Sequence, residues 1–232
     1  VSPTLRDALA YFGIARLYSL DFEYQPFDGD NPRPICLCHR ELLSGESGKI
    51  WLWGAAPPCP FAITEDEAFI SYNFAAEASC FFALDWPRPL QVIDLYLEYL
   101  EIRNTWPEAI NVGGKKKERK RLLEALRYLG LETRDNAIKE YWQERAVRGG
   151  PWAPGEPEDM MKYCLDDVDD VGRLLEPLAN AAKLDDTDNL AYAFHPGPLR
   201  RRRSLDGANR NSGRPAPRPG AQAPGPDSKQ TD

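Results

Sequence analysis

LYSLDFEYQP, residues 17–26, is the stretch on which the fold turns. An apolar run of Leu17, Tyr18 and Leu20 leads directly into Asp21 and Glu23, two acids separated by one aromatic. Alternate residues of a β-strand share a face, so the stretch predicts a strand that aims both carboxylates the same way at the end of a buried segment. Taken alone, such a D-x-E also suits an ordinary solvated strand end. The rest of the chain decides between the two.

The 232 residues, 42% of them hydrophobic, suit one globular domain plus a tail. No run approaches the roughly 18 apolar residues needed to span a bilayer, and the N-terminus lacks a signal-peptide pattern. The expectation is a cytoplasmic protein with no membrane partner. Five cysteines without paired C-x-x-C spacing, and two histidines, argue for reduced core thiols rather than structural zinc. The net charge of -7 hides a split: residues 191–232 carry eight Lys/Arg against three Asp/Glu, leaving 21 basic against 33 acidic groups before them. An acidic protein can still hold a polyanion through a local basic patch and metal ions.

Around the opening stretch, three β-like runs (17–23, 34–42, 49–54) are separated by the turn-rich segments PFDGDNPRP and LSGESG, which predicts an antiparallel meander. AFISYN (68–73) reads as a further strand, FAAEASCFFALDW as a buried helix, and LQVIDLYLEYL (90–100) as another short apolar run. Helices follow. KERKRLLEALRYLGL ends at Gly130 as a C-cap; a second helix covers 135–148 and stops at Gly149-Gly150-Pro151. A third runs through EPEDMMKYCLDDVDDVGRLLEPL, with Met161, Cys164, Leu165, Val168 and Val171 facing inward. Strands, then alternation, then helices predict an α/β domain with a mixed sheet flanked by helices, spanning residues 1–185. Residues 186–232 read as a disordered tail rich in Pro, Gly and Arg.

Two more places attach acids to apolar elements. In SYNFAAEAS, Asn73 ends a strand and Glu77 lies one helical turn on; in KYCLDDVDDV, Tyr163 and Asp167 are four apart and share a helix face. The ordered pattern D-x-E, N-x-x-x-E, Y-x-x-x-D resembles the three exonuclease motifs of the proofreading 3′-to-5′ exonuclease domain of family A DNA polymerases, the DnaQ-like, DEDDy-type group. The resemblance runs from Leu17 to Leu178, with QVIDLYLEYL similar to the family's strand after the second motif. LLEALRYLGLE and RAVRGGPW are similar to segments of bacterial polymerase I-like proteins.

The resemblance implies an RNase H-like fold and hydrolysis of DNA from a single-stranded or frayed 3′ end by two divalent ions, Mg²⁺ or Mn²⁺. Charge gives the physical reason. Two carboxylates about 4 Å apart repel by roughly 4 kcal/mol at an effective dielectric of 20, whereas hard divalent ions neutralise them and hold a phosphodiester in line. In the family scheme Asp21 bridges both ions, Glu23 and Asp167 bind the ion that activates water, and Glu77 supports the second ion through water. Tyr163 orients the attacking water. The family often has Asp where Glu77 stands. Asp94 either shares that task or is a buried strand-end acid beside the site.

Substrate contacts stay open between two readings each. Lys115, Lys116 and Lys117, in the basic run GGKKKERKR, either bind phosphates or form a solvated loop. Tyr72 and Phe74 either stack on a frayed base or pack in the core. RNase D-type exoribonucleases share the same acids, and a catalytically silent, DNA-binding remnant of a polymerase is a further alternative. No polymerase domain follows in the chain, so one is expected to be supplied separately. The tail, translated one base later with permissible codons, is similar to the segment after the exonuclease domain in this polymerase group. That predicts a frameshifted remnant; a natural basic DNA-holding tail is the rival.

Overall fold

A computed structural model describes residues 1–26, 31–105 and 121–194. Its centre is the strand anticipated from the opening stretch, β1 (Arg16–Gln25), which pairs antiparallel with β2 (Arg33–Glu41); β2 pairs antiparallel in turn with β3 (Ser47–Trp51). On its other edge β1 pairs parallel with β4 (Glu67–Ser71), and β4 pairs parallel with β5 (Gln91–Asp94). The five-stranded order is therefore β3-β2-β1-β4-β5. This is the mixed, RNase H-like α/β sheet expected, with its first three strands antiparallel.

Seven helices are described: α1 (Pro3–Tyr11), α2 (Phe74–Ala83), α3 (Leu95–Thr105), α4 (Leu122–Tyr128), α5 (Asn136–Arg148), α6 (Glu156–Ala182) and α7 (Thr187–Phe194). Strand alternation assigns each face of β1 its cover. Leu20 and Phe22 join Leu37, Phe69, Phe81 and Trp86 in an aromatic core under α2. Leu17 packs on the opposite side with Ile70, Ile93 and Val171, Leu174 and Leu178 of α6. Ser19, on that same side, donates its hydroxyl to the Val168 carbonyl at 2.8 Å and pins α6 to the sheet. Asp21 and Glu23 thus emerge on the α6 side.

Several elements differ from the sequence reading. Helix α1 was not anticipated; Ser2 caps it, Pro3 opens it, and Leu5, Ala8 and Leu9 are buried. The run 90–100 is strand only over Gln91–Asp94, because the Asp94 carboxylate accepts the Tyr96 and Leu97 N–H groups and starts α3. Along α6, Cys164, Val168 and Val171 are buried as expected, but Met160 rather than Met161 is the fully buried methionine, and Leu165 is partly exposed. The folded part also continues past residue 185, since α7 buries Leu190, Ala193 and Phe194 against the core around α6. Gly130 and Gly149, at φ 77° and 67°, end α4 and α5 where the sequence placed the stops. No helix among the described residues is long and apolar enough to cross a membrane, and all five cysteines are free thiols.

Candidate active site

The site forms where β4 stops pairing with β1. Parallel pairing covers Arg16 to Ser19 only, so beyond Ser19 that edge of β1 lacks a strand partner. The chain leaves β4 through Tyr72 and Asn73, which adopts φ 77°, and turns into α2. Glu77, one turn into α2, then reaches back: Phe22 N–H donates to its Oε2 at 2.9 Å. A carboxylate thus replaces the missing strand and satisfies a buried donor. Ligands of open α/β sheets lodge at such strand ends, where the pairing pattern switches.

Helix α6 supplies the opposite wall. Oxygens of Asp21, Glu23 and Asp167 all lie within 4.8 Å of one another. Together with Glu77, Tyr163 and Asn73 they line a cavity of about 750 Å³, which also reaches Tyr72, Tyr96, Arg121, Lys139 and Gln143. Burial holds the Asp21, Glu23 and Glu77 carboxyls well above the usual carboxylate range. The Asp167 charge adds to the effect at Asp21, and the Asp21 charge adds to it at Glu23 and Glu77. The Tyr163 hydroxyl is buried beside Asp167 with no well-formed hydrogen bond among the described residues, and burial, followed by the charges of Asp167, Glu23 and Asp21, pushes its pKa up. It therefore acts as a neutral donor.

The four motif acids and Tyr163 are brought to one cavity. Other expected positions have different placements. Asp94 is a structural clamp: its carboxylate accepts the N–H groups of Asn73, Phe74, Tyr96 and Leu97, which anchors the starts of α2 and α3. Phe74 belongs to the aromatic core. Tyr72 borders the cavity but is partly buried, with its ring 5.6 Å from that of Tyr96. Asn73 borders it too, and makes no side-chain cap to α2. Lys115, Lys116 and Lys117 lie outside the described residues.

Three neighbours were not read from the sequence. Arg134 donates to Asp167 Oδ1, and Lys139 Nζ donates to Asp167 Oδ2 at 2.8 Å. Cys164 donates its thiol to the Asp21 carbonyl at 3.2 Å, with the Asp21 carboxylate 3.6 Å away. No spacing rule links these residues to the motifs. The one available hint was Lys139 in the first turn of a helix, where the dipole disfavours a cation.

The donor set fits divalent metal. Three carboxylates presenting oxygens to a common space, with little else to balance the charge of Asp21 and Glu23, are hard ligands of the kind Mg²⁺ and Mn²⁺ take.

No family model matches the chain, and no curated protein sequence does. Among solved structures, one described as the apo form of a nuclease superposes with a TM-score of 0.54 at 15% identity, covering 91% of this chain and 92% of that one. Another, the Nibbler EXO domain of Aedes aegypti, gives a TM-score of 0.41 at 12% identity over 78% of this chain and 91% of that one. The first likeness is one of fold.

Proposed function

We propose that the chain is a metal-dependent 3′-to-5′ exonuclease that hydrolyses DNA phosphodiesters from a single-stranded or frayed 3′ end, the proofreading domain of a polymerase I-like protein. The observation that carries this reading is the meeting of Asp21, Glu23 and Asp167, from a strand and a helix 146 positions apart in sequence, within 4.8 Å at one cavity. A fold shared with a nuclease supports it.

Asp21, Glu23 and Asp167 would hold two Mg²⁺ or Mn²⁺ ions. Bound there, the ions would supply a nucleophile at neutral pH and a clamp on the attacking and leaving oxygens. The remaining roles belong to the protein. Glu77 would support the second ion through water, and it keeps the end of β1 fixed through Phe22 N–H, so that Asp21 and Glu23 stay aimed into the cavity. The Tyr163 hydroxyl, beside Asp167 and with no well-formed hydrogen bond among the described residues, would hold and orient the attacking water. Cys164 braces Asp21 from behind. Products are nucleoside 5′-monophosphates, released one at a time from the 3′ end.

The test is digestion of 5′-labelled single-stranded DNA and RNA of one sequence, with Mg²⁺, with Mn²⁺ and with chelator. Stepwise shortening of the DNA that needs metal and disappears in Asp21→Ala is expected. Faster shortening of the RNA would move the assignment to an exoribonuclease. DNA binding without metal-dependent cleavage would leave a silent remnant.

A further inference from the structure

Asp167 accepts a hydrogen bond on each carboxylate oxygen, and the two cations responsible are held very differently. Arg134, on Oδ1, is anchored elsewhere: its Nε and Nη2 donate to Asp170 Oδ2 at 2.9 and 2.8 Å, and Asp166 lies 3.7 Å from its Nη1. Asp170 is itself buried and tied to Arg173 at 3.0 Å. Three carboxylates therefore fix that guanidinium, whose planar fork suits such fixing. Lys139, on Oδ2, has no such anchor. Its 2.8 Å contact with Asp167 is the one hydrogen bond found for its ammonium among the described residues.

Placement reinforces the contrast. Lys139 stands in the first turn of α5, against the helix dipole, so its position is maintained by the acids and not by its own helix. It borders two spaces at once. One is the acid-lined cavity; the other is a pocket of about 120 Å³ lined by Arg121, Glu124, Arg127 and Glu140 among others. The flexible lysine stem can carry the ammonium from one to the other. At the far end stand the carboxylates of Glu124, which accepts the Arg121 N–H at 3.3 Å, and Glu140, 4.0 Å from the Arg121 guanidinium and largely exposed.

A divalent ion brought to Asp21, Glu23 and Asp167 meets this ammonium as a like charge competing for the same carboxylate. We infer that Lys139 is the exchangeable counterion of the acid triad: it neutralises Asp167 while the site lacks divalent metal, and gives up Oδ2 when metal is taken. Its ammonium then turns towards Glu124 and Glu140, while Arg134 stays on Asp167 throughout. The inference rests on the metal-dependent reading of the same acids. Metal uptake becomes an exchange of cations on Asp167, so that carboxylate is never left unopposed, and the apparent metal affinity is weaker than the three carboxylates alone would give.

The experiment is equilibrium titration of the full chain with Mn²⁺ alone, without nucleic acid, for the wild type, Lys139→Met, Lys139→Gln, Lys139→Arg and Asp21→Asn. Lys139→Met is expected to lower the Kd for Mn²⁺ by about fivefold or more, Lys139→Gln to lower it less, and Lys139→Arg to stay within about twofold of wild type. Should the methionine variant fail to fold by circular dichroism, the glutamine variant, which keeps a neutral hydrogen bond to Asp167, carries the comparison. An unchanged or raised Kd in the folded neutral variants, with binding still abolished in Asp21→Asn, overturns this inference and leaves the metal site standing. Absence of Mn²⁺ binding in the wild type, or undiminished binding in Asp21→Asn, overturns the metal-dependent reading and this inference with it.

Discussion

Replacing Asp21 by Asn should make the metal-free protein more stable while destroying its response to metal. The Asp21 oxygen lies within 4.8 Å of oxygens on both Glu23 and Asp167. At an effective dielectric of about 20, two unit charges at that separation repel by roughly 3.5 kcal/mol. The Asp167 charge is opposed by Lys139 and Arg134, so Glu23, which has no ion pair among the described residues, is the less compensated neighbour. Proton retention by the raised acids relieves part of the repulsion, which leaves a gain of about 1 to 3 kcal/mol for the variant at neutral pH. For a chain of this size that is about 3 to 10 °C in Tm.

The pH dependence has a definite sign. Burial raises the folded-state pKa of Asp21 above its unfolded value. Its favourable contribution is therefore complete below the unfolded value and is lost as pH climbs through the folded one. Asn does not titrate, so the difference in Tm should be small near about pH 4 and widest near about pH 8. Thermal melts in chelator across that range, repeated with millimolar Mg²⁺, measure both effects; the wild type should rise with Mg²⁺ and the variant should not. A variant no more stable than wild type at the alkaline end in chelator would refute the argument that these acids repel one another in a shared pocket.

Three other perturbations separate architecture from chemistry. Tyr163→Phe removes a buried hydroxyl with no well-formed hydrogen bond among the described residues, so stability should stay level or rise by up to about 1 kcal/mol in denaturant titration, while the nuclease rate falls about tenfold or more in single-turnover digestion. Glu77→Gln keeps an acceptor for Phe22 N–H, so its melt in chelator should match or exceed wild type, with activity or metal affinity down about 10- to 100-fold. Asp94→Ala strips four backbone N–H groups of their acceptor at two helix starts and should cost about 2 to 4 kcal/mol by urea unfolding. At permissive temperature, its Mn²⁺ affinity should remain near that of wild type.

Local signals were sufficient for much of the fold. The alternation of Leu17 to Glu23 declares a strand with acids on one face. The glycines after residues 129 and 148 declare helix stops, and the four-residue step from Tyr163 to Asp167 declares a shared helix face. These features depend only on neighbours along the chain, which is why they can be read there. The limit shows at Asp94, where an acid inside an apolar run looks like part of a strand or a ligand. Its four N–H partners come from two chain segments, and only folding brings them to it.

The sequence by itself determined which residue types were offered: hard oxygen donors in three ordered motifs, on elements whose faces the periodicity assigns. Only the tertiary structure decided their partners. The early end of β4 pairing opened the edge of β1 that Glu77 fills, and the placement of α5 and of the residues just before it set Lys139 and Arg134 against Asp167. Electrostatic balance in a buried cavity is a sum over groups from distant parts of the chain. Spacing along the chain carries no term for that sum until the backbone closes the distances.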